Sequence, residues 1–112
     1  MIHMEKLCPH FEKATHLISK RWVCLVLYEL MSGTKRFSEM ETNLPISGRL
    51  LSERLKFLEK EDIIIRHVYS EYPIRIEYKL TSKGVALKPV IEEIMKWSYE
   101  WLREREAETV QQ

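Results

Sequence analysis

Two groups of side chains in this sequence are spaced for chemistry: a cysteine at a helix start, and a file of polar residues along one side of a later helix. Cys8 stands immediately before Pro9, and proline suits the first turn of a helix. The dipole at that end favours the thiolate, as do Lys6 and His10 close by in sequence. A thiolate there reacts with oxidants or electrophiles and can go on to form a disulfide. Against this stands the commoner fate of a free cysteine, which is to act as a small buried hydrophobe. Cys24, just before Leu25 in an apolar stretch, reads as that kind of core filler. His3, Cys8, His10 and His16 are all potential zinc ligands. None of their pairs has metal-site spacing, and a separation of six puts His10 and His16 on different helical faces, so no metal is expected.

The second group is Arg49, Ser52, Glu53 and Lys56, at spacings of three, four and seven. These share one face of a helix whose opposite face carries Leu51, Leu55 and Leu58. Charged residues along a helix are ordinarily just its solvated side. In the first half of a recognition helix, however, the same residues reach base edges in a DNA major groove. Arg49 would then give two hydrogen bonds to guanine and Ser52 would bond a base or a phosphate. Ser47 is the expected N-cap, and the free amides at Gly48 and Arg49 favour phosphate. Lys35, Arg36, Arg66, His67 and Arg75 fall at junctions and in a ribbon beside the same backbone, where phosphate contacts supply much of the affinity.

The elements that must position these residues follow from periodicity and capping. Pro9, Phe11, Ala14, Leu17 and Ile18 predict a first helix, and Trp22, Leu25, Val26, Tyr28 and Leu30 a second that closes at Ser32-Gly33. Lys35-Arg36-Phe37 reads as a connector. Ser38 with Glu41 three residues on predicts a short capped helix ending near Leu44-Pro45, and Ser47 starts another that runs to about Glu61. The run Ile63, Ile64, Ile65, Val68, Tyr69 and the alternation Ile74, Ile76, Tyr78, Leu80 predict a β-hairpin with Pro73 near its tip. Thr81 caps a last helical segment with Leu87, Ile91, Ile94, Ser98 and Trp101 on one stripe and Val90, Trp97 and Leu102 beside it. Gly84 and Pro89 are expected to bend or break its first turns, and the polar residues from Arg103 onward to fray. The remainder is too long and apolar to lie over one small core, so a partner surface is expected to cover it. A short helix, a turn, a second helix and a hairpin together predict a mainly α fold with a small β-hairpin, the winged helix-turn-helix.

Length and composition agree with this reading. The 112 residues make one expected domain, 1–112, and 45% hydrophobic content builds a core without staples. No apolar run spans a bilayer and no secretory leader is visible, so a cytoplasmic protein with no membrane contact is expected. Two cysteines are too few for a disulfide framework. The net charge of +1 hides a slight asymmetry, with 13 Lys/Arg against 11 Asp/Glu in residues 1–82 and 5 against 6 beyond. With no Gly-rich phosphate loop and no readable Ser/His/Asp set, neither an enzyme nor a cofactor is expected.

The strings Cys8-Pro9, Leu17-Ile18-Ser19-Lys20-Arg21-Trp22, Arg36-Phe37-Ser38-Glu39-Met40, Leu51-Ser52-Glu53-Arg54-Leu55-Lys56 and Ile76-Glu77-Tyr78-Lys79-Leu80-Thr81 with Gly84 closely resemble the HxlR-type (DUF24) bacterial regulators. The resemblance covers about residues 7–102. It implies a dimeric winged-helix regulator on a pseudo-palindromic double-stranded operator, with its two-fold built from the N-terminal and final helices. Phe11, Ile94, Trp97 and Trp101 are the expected interface residues. It further implies sensing of quinones, aldehydes or oxidants at the cysteine matching Cys8. Some such sensors use further cysteines near the C-terminus, which this sequence lacks. Cys8 is then left to pair with its symmetry mate, with Cys24 of the other subunit, or with a small thiol. Two other readings stay open: a ligand-responsive regulator without thiol chemistry, and a winged-helix module that docks another protein.

Overall fold

A computed structural model describes the backbone of residues 8–111 and the side chains of residues 9–69 and 72–102. The chain forms α1 (Cys8–Ser19), α2 (Val23–Met31), β1 (Lys35–Arg36), α3 (Phe37–Asn43), α4 (Gly48–Lys60), β2 (Ile64–Glu71), β3 (Ile74–Leu80), α5 (Ser82–Val85) and α6 (Lys88–Gln111). The expected winged helix-turn-helix is present. Its core is the inward side of α2 (Val23, Val26, Leu27, Leu30), Met40 of α3, the Leu51, Leu55 and Leu58 stripe of α4, and Ile63, Ile64, Tyr78 and Ile91. Leu17 and Ile18 of α1 pack against it from the side.

Three local expectations need correction. Lys35-Arg36 is not a connector but the outer strand of a three-stranded antiparallel sheet ordered β1-β3-β2, with Lys35 opposite Tyr78 and Arg36 opposite Glu77. Two residues are too few to show a period of two, so the strand is invisible without its partner. α3 begins two residues earlier than Ser38 predicts. Its N-cap is Arg36, whose backbone N–H donates to Glu39 Oε1 at 2.8 Å. That half of a capping box uses only the main chain of the N-cap residue, which a search for Ser or Thr overlooks. The polar segment from Arg103 continues α6 as helix through Gln111, since its Arg, Glu and Ala residues are good helix formers with no Gly or Pro among them.

Other junctions follow the sequence closely. Ser47 Oγ accepts from the Leu50 amide at 3.2 Å and Thr81 Oγ1 from the Gly84 amide at 3.0 Å. The helical segment after Thr81 breaks between α5 and α6, before Pro89. α4 ends in a Schellman motif, with the Ile63 amide donating to the Leu58 carbonyl and the Asp62 amide to the Glu59 carbonyl, both at 2.9 Å. Asp62 takes the left-handed position at φ 65°, where glycine is usual, and Trp22 enters α2 at φ 77°. Gly84 is required sterically, because a Cβ there would run into the Ile63 carbonyl oxygen. The radius of gyration is 16.8 Å, against about 13 Å for a compact globule of this length. The long α6 and the hairpin project from the core.

Candidate nucleic-acid interface

α4 is strongly two-sided. Leu51, Leu55 and Leu58 are fully buried, which fixes the rotation of the helix and turns Arg49, Glu53 and Lys56 outward, with Ser52 half-buried beside them. The Arg49 side chain is 89% exposed, so it is free to reach beyond the protein surface. At rest it lies 3.9 Å from Glu53. Glu53 is also 4.0 Å from Arg54, whose side chain is only 18% exposed. Arg54 Nε donates to the Arg21 carbonyl at 2.8 Å, tying α4 to the turn between α1 and α2. Arg54 therefore positions the helix and does not belong to its outward file. The Glu41 carboxylate lies against Gly48, so the amide end of α4 already faces a negative charge from α3.

The sheet sorts the remaining basic residues by face. Tyr78 is buried and pairs with Lys35 on one side and Arg66 on the other, so this row lies on the core-facing side. The alternate row is Arg36, Glu77 and His67, and Arg75 shares its side, 3.8 Å from Glu77. Arg66 and Arg75 thus stand on opposite faces of the ribbon, although both are exposed. Lys35 Nζ donates to Ser32 Oγ at 2.8 Å, and the Arg36 guanidinium lies 3.8 Å from Glu39. These exposed pairings are worth little and exchange readily for phosphate contacts. A bulge between Val68 and Ser70 re-aims the outer part of β2, where the His67 and Tyr69 rings meet edge to face at 4.5 Å.

The apolar surface lies elsewhere, and the sequence located only part of it. Along α6, Ile91 is buried whereas Val90, Ile94, Trp97, Trp101 and Leu102 are exposed. Phe11 of α1 is exposed too, but Leu17 and Ile18 of the same helix turn toward the protomer's own core, so the apolar side of residues 8–18 is divided. The sequence reading missed Leu25 and Tyr28 as surface residues. Both are exposed on α2 and, with Cys24, Ile94 and Met95, line an apolar hollow between α2 and α6. The signal was present in the composition of α2, which is apolar nearly all round and so demands cover on more than one side. Cys24 is half-buried, its Sγ donates to the Ile18 carbonyl at 3.4 Å, and burial pushes its thiol pKa up, away from thiolate. The Cys8 side chain lies outside the described residues, as do those of Lys6 and His3. His10 and His16 are exposed on α1. Among the described residues no cluster of three His, Cys, Asp or Glu is placed to hold a metal, and no helix is long and apolar enough to cross a membrane.

A helix-turn-helix whose second helix presents an outward arginine in a polar file, followed by a hairpin that carries Arg66 and Arg75, defines a winged-helix DNA-binding protein. The chain belongs to the HxlR-like helix-turn-helix family, whose pattern matches residues 17–106. It is 53% identical over 102 residues to the HTH-type transcriptional regulator YvaP of Bacillus subtilis (strain 168), covering 90% of this chain and 94% of that one. The reduced form of the transcriptional regulator YodB from B. subtilis has the same fold, with TM-score 0.75 and 44% identity over 85% of this chain and 94% of that chain. YodB is also known in a quinone-bound form, with TM-score 0.72 and 42% identity over 85% and 100% of the two chains. The redox regulator HypR in its reduced form superposes with TM-score 0.77 at 31% identity, over 85% of this chain and 97% of that one. These relatives are transcriptional regulators, which are not enzymes.

Proposed function

We propose that this regulator acts as a homodimeric repressor on a pseudo-palindromic operator and is released from it by oxidants or electrophiles at Cys8. The observation that carries the DNA-reading part is the α4 file, in which Arg49 stands fully outward above a buried leucine stripe. Arg49 and Ser52 read bases, with Glu53 available to accept from a cytosine amino group and Lys56 further along the file. Arg36 and Arg75 on one face of the ribbon, and Lys35 and Arg66 on the other, hold phosphates from its two sides, and Ser47 and Gly48 join them at the helix start once the Glu41 carboxylate gives way. The exposed stripe of Ile94, Trp97 and Trp101, with Phe11, supports association of two copies. The redox part is supported by the quinone-bound YodB and the redox regulator HypR, and by the position of Cys8 as first residue of α1.

The test is operator binding by four variants. Arg49→Ala costs about 1–3 kcal/mol and relaxes specificity at one position, whereas Arg75→Ala weakens all duplexes alike and lowers the salt slope by about one. Equal loss on operator and random DNA from Arg49→Ala contradicts this division. Cys8→Ser binds operator when reduced and stays bound after diamide or quinone, while Cys24→Ser, which removes a thiol that burial pushes away from thiolate, behaves as the parent. If oxidant releases Cys8→Ser as readily as the parent, thiol control at Cys8 is wrong.

A further inference from the structure

We propose that the cleft between α1 and α5 binds a small aromatic acid, with its ring on Leu17, Ile18 and Leu87 and its anionic group held by Lys13 and Lys83. The half-open cleft offers about 280 Å³, a volume that suits one or two fused rings and is too small for a helix about 10 Å across. It exists because α1 packs chiefly on α2, leaving the far side of the helix standing off from the segment that joins α5 to α6. Leu17 and Ile18 form one wall and Leu87 the other, so water inside finds few hydrogen-bond partners and an apolar ring replaces it favourably.

The mouth selects the charge of the occupant. Two lysines, Lys13 and Lys83, and one acidic residue, Glu61, line the cleft among its apolar residues, a balance of one positive charge. Lys83 is held there because its Nζ donates to the Glu61 carbonyl at 2.7 Å. That bond uses one of its three N–H donors and leaves the others for an anion. A carboxylate on the ring is therefore favoured over a neutral or cationic group. The proposal goes beyond the DNA-binding reading, and its test needs no DNA.

The probe is 1-naphthoate, titrated into the full chain and followed by methyl proton–carbon shifts and calorimetry, with 1-naphthylmethylammonium as the cationic counterpart. Saturable shifts centred on the Leu17, Ile18 and Leu87 methyls are expected with naphthoate, and weaker ones with the cation. Lys13→Gln or Lys83→Gln should each weaken naphthoate about two- to fivefold, the range of an exposed ion pair. Ala86→Leu, at an exposed position lining the cleft, should narrow it and weaken binding by about tenfold or more. Absence of saturable shifts in the unmodified chain overturns the proposal, as does a shift map centred elsewhere or a cation that binds as tightly. Undiminished binding by a folded Ala86→Leu protein also overturns it. If that variant fails to fold, the methyl map of the unmodified chain decides. A cleft filled by a second copy of the chain gives no saturable shifts and likewise counts against it.

Discussion

α4 and α6 are both amphipathic helices, yet one is finished within the protomer and the other is not. The leucine stripe of α4 is fully buried in one core cluster with residues of α2, α3 and the start of β2. The stripe of α6 buries Ile91 and then runs out past the core, leaving Trp97 56% and Trp101 61% exposed. The same periodicity thus has two outcomes. Hydrophobic spacing says that a face will be covered, and only the lengths and directions of neighbouring elements say by what.

The contrast is broken most severely at Leu55, which is 1% exposed. Leu55→Ala is expected to cost about 2–5 kcal/mol in urea unfolding, because it removes a fully buried side chain and leaves a cavity in the core. A loss below about 1 kcal/mol would mean that the stripe is looser than its burial implies. Next comes Gly84→Ala, which forces a methyl against the Ile63 carbonyl and should cost about 1–3 kcal/mol by the same measurement. Replacing Ile94 and Trp101 together by serine tests the open side. Protomer stability should change by no more than about 1 kcal/mol for such exposed positions, while light scattering should report monomer or aggregate in place of a dimer. A dimer that survives unchanged removes α6 from the interface. The smallest effect sharpens the closed end of α4. Asp62→Gly relieves a left-handed aspartate and should raise stability by about 0.5–1 kcal/mol, seen as a higher unfolding midpoint.

Much of this architecture was legible in the sequence because its signals are local. Ser47 and Thr81 cap where their spacing indicates, and the alternation Ile74, Ile76, Tyr78, Leu80 sets the sheet face. What escaped depends on partners distant in the chain. β1 is a strand only because β3 lies beside it, and Arg36 caps α3 through its main chain and not its side chain. Arg66 and Arg75 look equivalent in the sequence, and the pairing register alone separates them. Leu25 and Tyr28 look like core, and only the course of α6 leaves them open.

The two residues of β1 have a mechanical consequence. Arg36 is at once the end of a strand bonded to the wing and the cap of the first helix of the helix-turn-helix. The first helix of the pair and the base of the ribbon are therefore riveted together like the jaw and handle of a calliper. Neither swings without the other, and their amide protons should exchange as one opening unit. A signal that reaches either part is expected to move the two together as one body.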